Sequence, residues 1–175
     1  MKVERNEWLD KMNNLLARRK SARSYTDKSQ NIIADYQKHF EKCELGKSVL
    51  DIGCGDMRVK QYCQNYFGID PFPINKEVKR FEIETFETDE TFETVTAFAV
   101  LDGVYDLRKA ILNMKSLCER NIIILTGIDI EIDEFHTQSI NELELNALML
   151  TGDKFNQTYR EELTPKVFLL EYSRA

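Results

Sequence analysis

The chain is short of the residues that usually announce a metal site or a covalent framework. Only two histidines, His39 and His136, and four cysteines occur in 175 residues. Cys43, Cys54, Cys63 and Cys118 form no Cys-x-x-Cys pair, which argues against structural zinc and predicts a reduced, cytoplasmic setting. No stretch approaches the roughly 18 consecutive apolar residues that a membrane span needs. Residues 1–6 carry no apolar signal core, so the sequence gives no reason to expect secretion. There is no repeat, and no linker rich in proline, glycine or serine breaks the chain. One domain with a sizeable buried core is the expectation at this length.

The charge is unevenly spread. Residues 1–47 hold eleven Lys/Arg against seven Asp/Glu, a balance of +4, whereas the whole chain is at −6. The basic cluster is Arg18, Arg19, Lys20 and Arg23. It has two readings, a phosphate or nucleic-acid contact and a solvated helix end that suits the macrodipole. The acidic main body speaks against a large non-specific nucleic-acid footprint.

Hydrophobic spacing orders the rest. Trp8, Met12, Leu15 and Leu16 recur at helical intervals over residues 4–20, and Ile32, Ile33, Tyr36 and Phe40 predict a second helix capped by Thr26 or Asp27. Short apolar runs at 48–52, 66–70, 79–84, 94–99 and 121–126 read as strands. Helices are predicted at 57–65, 105–118 and 139–150. Only residues 71–78 separate the second and third strands, too few for a full crossover helix, so a turn or helical fragment is expected there. The stretches 154–160 and 166–173, joined through 161–165, predict an antiparallel hairpin. The pattern is an α/β fold: a Rossmann-like, doubly wound, mostly parallel seven-stranded sheet ending in that hairpin.

The chemistry concentrates at two strand ends. Ser48-Val49-Leu50-Asp51-Ile52-Gly53-Cys54-Gly55-Asp56 is a buried-strand pattern running into a glycine turn, where a bare backbone lets a ligand approach. Nineteen residues after Asp51, the run Tyr66-Phe67-Gly68-Ile69-Asp70 ends in a second acid. The third glycine of a dinucleotide-binding G-x-G-x-x-G is missing, and no Walker A Gly-Lys-Ser/Thr follows. An acid before the turn suits a ligand that presents a cation and hydroxyls better than a pyrophosphate.

These segments resemble a known family. Val49-Leu50-Asp51-Ile52-Gly53-Cys54-Gly55 is similar to the first motif of class I S-adenosylmethionine-dependent methyltransferases, and Phe67-Gly68-Ile69-Asp70 to their second. Residues 89–101 resemble the fourth-strand motif, and Asp102-Gly103-Val104-Tyr105-Asp106 that of the small-molecule, quinone-type branch. The resemblance implies S-adenosylmethionine as cofactor and a methyltransferase domain over 46–175 preceded by a helical lid over 1–45. It implies that Asp51 serves the methionyl end and the loop, that Gly53 and Gly55 admit the cofactor, and that Asp70 accepts from the ribose hydroxyls. Ile69 and Pro71 are expected against the adenine ring, Glu82 and Ile83 at its edge, and Ala99 and Val100 beside the methionine moiety. Met57 stands where many relatives carry a third glycine, and Gly103 where the branch often has histidine.

The family has no universal catalytic residue. His136, Tyr105 and Asp102 are the acceptor-side candidates, because they follow strand ends; His136 is the expected base or hydrogen-bond donor. The DNA-amine signature is absent after the fourth strand, where the chain reads Ala99-Val100-Leu101-Asp102. A small or medium-sized acceptor is therefore expected. A nucleic-acid acceptor held by the basic cluster, and a cofactor-binding regulatory module without catalysis, are the alternatives.

Overall fold

The computed structural model describes residues 4–21, 43, 45–133, 136–152 and 155–175. The predicted helix over 26–40, Tyr25, Arg23 and the side chains of Arg18, Arg19 and Lys20 lie outside the described part.

Among the described residues, six strands form one sheet in the order β2-β1-β3-β4-β6-β5. They are β1 (Ser48–Ile52), β2 (Asn65–Ile69), β3 (Phe92–Phe98), β4 (Cys118–Gly127), β5 (Phe155–Thr164) and β6 (Val167–Arg174). The first four are parallel, and β6 runs antiparallel to both β4 and β5. The fold class is as the sequence predicts, with six strands rather than seven. The missing strand is the one expected over 79–84. There the chain makes only a single parallel bridge, Ile69 to Lys79, and then a 3-10 turn, Ile83–Thr85. The short connection from Pro71 onward cannot carry a crossover helix that would lift a strand into full register.

Three α-helices are described: α1 (Arg5–Ser21), α2 (Leu107–Leu117) and α3 (Glu142–Leu150). Asp106 caps α2 by accepting from the Lys109 amide, and Asn141 caps α3 by accepting from Leu143 and Glu144, which satisfies amides that have no partner within the helix. The helix expected over 57–65 is instead a five-residue 3-10 turn, Arg58–Tyr62, entered through Met57 in the left-handed region at φ 59°.

Alternation along the strands splits the core. Leu50, Ile52, Val95, Ala97, Ile122, Ile124, Leu170 and Tyr172 pack with Ala110, Ile111, Met114, Leu145 and Met149 of α2 and α3. Ile123, Leu125 and Leu169 point to the opposite face, with Cys43, Leu45 and Phe98. The carboxyl ends of the parallel strands all lie along one edge, and strand order reverses beside β1, where open α/β sheets bind ligands.

Lys115 on α2 is 1% exposed. Its ammonium donates to the carbonyls of Leu148 (3.0 Å) and Thr151 (2.8 Å) at the end of α3, so a cation closes the negative end of that helix. Lys115→Met strands both carbonyls. The expected loss is about 1–3 kcal/mol, read as a Tm lower by roughly 2–10 °C. A Tm equal to that of the native protein would show that this cap carries no stability.

Candidate functional site

Two acids stand at neighbouring strand ends, and their surroundings differ. Asp51 pairs in register with Gly68 of β2 on one side and Thr96 of β3 on the other. Tyr66 donates its hydroxyl to Asp51 at 2.7 Å, and Thr96 donates at 2.8 Å. Gly68 makes this possible: a Cβ there would lie 2.9 Å from the Tyr66 ring and hydroxyl and 2.8 Å from the Cys54 sulfur. Tyr66 thus leans across a strand position with no side chain. Asp51 is 2% exposed, and burial raises its carboxyl from 3.8 to about 6 against the lowering hydrogen bonds from Tyr66 and Thr96. Burial also raises the Tyr66 hydroxyl and pushes the Cys54 thiol up to about 12, with Asp51 adding to it. Cys54 therefore stays a thiol.

Asp70 ties the second strand end to the glycine turn. One oxygen accepts from the Gly55 amide at 3.2 Å, and the other from the Phe72 amide at 2.7 Å. An ionised carboxylate has about four acceptor positions, so each oxygen keeps capacity for a further donor. Gly53 sits at φ 61°, and a Cβ there would fall 2.2 Å from a methyl of Val100. Only glycine lets the β3 tip close over the turn in this way. Over Gly55 the space is open, since an added Cβ meets no atom within 4 Å. Met57, Ala99 and Asp129 hold positive φ after β1, β3 and β4 respectively. Such strain in non-glycine residues tends to collect at functional sites.

The other expected cofactor residues divide. Ile69 is fully buried in the main core; Pro71 is half-buried at the same tip. Ile83 is likewise core, with its carbonyl accepting from Asn113 at 2.6 Å. Ala99 is exposed, and its amide donates to the Leu125 carbonyl at 2.7 Å. Val100 covers Gly53 as described. Glu82 accepts from Arg5 of α1 at 2.6 Å.

Of the three acceptor-side candidates, two meet. The His136 ring places Nδ1 2.8 Å from Asp133 and Nε2 3.4 Å from Asp102. The Asp102 carbonyl accepts from the amides of Thr137 (2.9 Å) and Gln138 (3.2 Å), which pins the loop after β4 to the loop after β3. Burial raises the Asp102 carboxyl, while His136 lowers it. Tyr105 turns instead toward α1: its ring lies edge-on to Trp8 at 5.9 Å, with the Arg5 guanidinium 4.8 Å from its centre.

Sequence reading passed over Tyr66, Thr96, Phe72 and Arg5. The signal for Tyr66 and Thr96 was present: a glycine opposite an acid in adjacent strands leaves a hole that a neighbouring hydroxyl can cross. Arg5 carried no local signal, because its partner Glu82 lies 77 residues away. Among the described residues, no group of three or more His, Cys, Asp or Glu could hold a metal ion, and no helix is long and apolar enough to cross a membrane.

A parallel sheet that reverses order beside a glycine turn, with an acid at the next strand tip and an antiparallel last strand, defines the methyltransferase-type class of α/β proteins. The family model described as a methyltransferase domain matches residues 19–148, and the chain belongs to that family. The fold is similar to that of magnesium protoporphyrin IX methyltransferase from Synechocystis with bound S-adenosylhomocysteine, at TM-score 0.65 and 12% identity over 97% of each chain. It is also similar to Burkholderia thailandensis 1,6-didemethyltoxoflavin-N1-methyltransferase, at TM-score 0.70 and 13% identity, covering 99% of this chain and 91% of that one. The N-methyltransferase NodS from Bradyrhizobium japonicum matches at TM-score 0.57 and 17% identity, over 73% and 78% of the two chains. No curated protein matches the sequence.

The raised carboxyl of Asp51 has a consequence for stability. Between pH 4 and 6 the folded chain keeps a proton that the unfolded chain has released, so this group lowers stability as pH rises through that window and adds no further change above it. Two pH units correspond to roughly 3 kcal/mol at most. Asp51→Asn removes the dependence. Urea denaturation at pH 4.5 and 7.5 should show the variant gaining relative to the native protein at the higher pH. Parallel profiles for the two proteins would contradict this picture of Asp51.

Proposed function

We propose that the protein is an S-adenosylmethionine-dependent methyltransferase that acts on a small or medium-sized acceptor. The observation that carries the reading is the Asp70 carboxylate, held by the amides of Gly55 and Phe72 beside the open backbone of the glycine turn. That carboxylate has acceptor positions to spare for two ribose hydroxyls. The solved neighbours support the same reading, since all three of those named were solved with S-adenosylhomocysteine bound, one of them together with 1,6-didemethyltoxoflavin.

The residues present fit such a cofactor. Gly53 and Gly55 bring bare backbone to it, Asp70 takes the ribose, Pro71 and Phe72 offer apolar surface to the base, and Glu82 stands at the base edge. Ala99 and Val100 flank the methionyl end. Asp51, with both oxygens engaged internally, acts by holding the strand end and by its charge. When bound, the cofactor supplies an electrophilic methyl on a sulfonium. The chain then has to orient the acceptor and keep water out, and orientation alone contributes about 7–11 kcal/mol in favourable cases. His136, held between Asp133 and Asp102, takes a proton from an acceptor that must lose one, and Asp102 and Tyr105 shape the acceptor side. The segment 1–45, whose main described element is α1, serves as a lid over the cofactor-free crevice.

Two measurements test this. In titration calorimetry with S-adenosylhomocysteine, Asp70→Ala should weaken binding about 5- to 150-fold, the equivalent of ~1–3 kcal/mol; equal affinity would remove the ribose assignment. With an acceptor found by incubating the protein and S-adenosylmethionine with a metabolite pool, His136→Ala should lower kcat by about 10²-fold or more and leave cofactor affinity alone. An unchanged kcat would exclude His136 as base.

A further inference from the structure

The N-terminal helix reaches into the crevice that the proposed cofactor needs. Trp8 is 2% exposed although it lies on a helix otherwise rich in polar residues. Its indole N–H donates to the Gly103 carbonyl at 2.8 Å. Its ring lies 6.1 Å from Phe72 and 5.9 Å from Tyr105. Phe72 follows β2, whereas Gly103 and Tyr105 follow β3. In the sheet these strands flank β1, so the indole bridges the segments that follow the two strands on either side of it.

Arg5, one turn earlier, completes the contact. Its guanidinium stands 4.6 Å from the centre of the Trp8 ring and 4.8 Å from that of Tyr105. It also donates to Glu82 at 2.6 Å. A cation packed on two rings and paired with a half-buried carboxylate is held more firmly than an exposed ion pair. The Glu82 carboxylate is thereby engaged from within the chain.

We propose that α1 is a latch whose Trp8 indole occupies the base end of the nucleoside crevice and whose Arg5 holds Glu82, so that cofactor binding and the closed latch exclude one another. The proposal rests on the reading of this crevice as the S-adenosylmethionine site. A flat bicyclic ring with one N–H aimed at a backbone carbonyl, between two aromatic side chains, has the shape and bonding of a bound purine. The cofactor must displace it, and its apparent affinity falls by the fraction of molecules in which the latch is open. Weakening the latch raises that fraction.

Trp8 is the only tryptophan in the chain, so intrinsic emission reports the latch directly. Addition of S-adenosylhomocysteine to the full-length native protein should shift the emission to the red as the indole leaves its buried site. Arg5→Ala should show part of that shift without ligand and should bind S-adenosylhomocysteine about two- to fivefold more tightly by calorimetry. Calorimetric binding with no change in Trp8 emission, or weaker binding by Arg5→Ala, overturns the latch while leaving the cofactor reading intact. Absence of any calorimetric binding to the native protein overturns the cofactor reading and the latch with it. The ligand-free emission of Arg5→Ala still reports separately whether Arg5 keeps the indole buried, and an unshifted spectrum there also counts against the latch.

Discussion

The pairing of the Asp70 carboxylate with the Gly55 amide is the constraint around which the site is organised. It joins the end of one strand to the turn that leaves its neighbour, so two segments distant in the chain hold a fixed relation. The Phe72 amide engages the other oxygen, which turns the chain after β2, where the Phe72 ring meets Trp8. Removing this carboxylate would release the turn, the ring and the acceptor group together. Asp51 performs the complementary task one strand over, where its hydrogen bonds from Tyr66 and Thr96 tie three adjacent strands at the level of the turn.

This arrangement depends on glycine in two different ways. Gly53 supplies a left-handed turn that Val100 closes from above. Gly68 supplies a gap in a regular strand across which Tyr66 reaches its acid. The non-glycine residues Met57 and Ala99 adopt the same left-handed region at the ends of β1 and β3. Their strain is sustained by the packed sheet behind them. Rigidity at the strand tips and contact with a helix from the N-terminus are thus combined in one edge of the molecule.

Much of this was legible in the sequence because it is local. Apolar runs ending in an acid and a glycine turn mark β1 and β2, and the apolar stretch through Ile122 to Leu125 marks the central β4. The helices predicted at 105–118 and 139–150 also formed, as α2 (Leu107–Leu117) and α3 (Glu142–Leu150). The strand expected at 79–84 did not form, since alternation in Lys-Arg-Phe-Glu-Ile-Glu says nothing of whether the chain has length enough to reach register. The helix expected after Met57 shrank to a 3-10 turn for a related reason: few residues separate β1 from β2, and the first of them is spent in a left-handed turn. Contacts such as Trp8 with Gly103, 95 residues apart, leave no trace in periodicity.

The central claim is that the crevice between the Asp70 carboxylate and the glycine turn holds the nucleoside of S-adenosylmethionine. A crystal structure of the protein grown with S-adenosylhomocysteine tests it most directly. The account predicts both ribose hydroxyls on Asp70 and the amino-acid end over Gly55. A nucleoside bound elsewhere, with Asp70 still facing only the Gly55 and Phe72 amides, would contradict it.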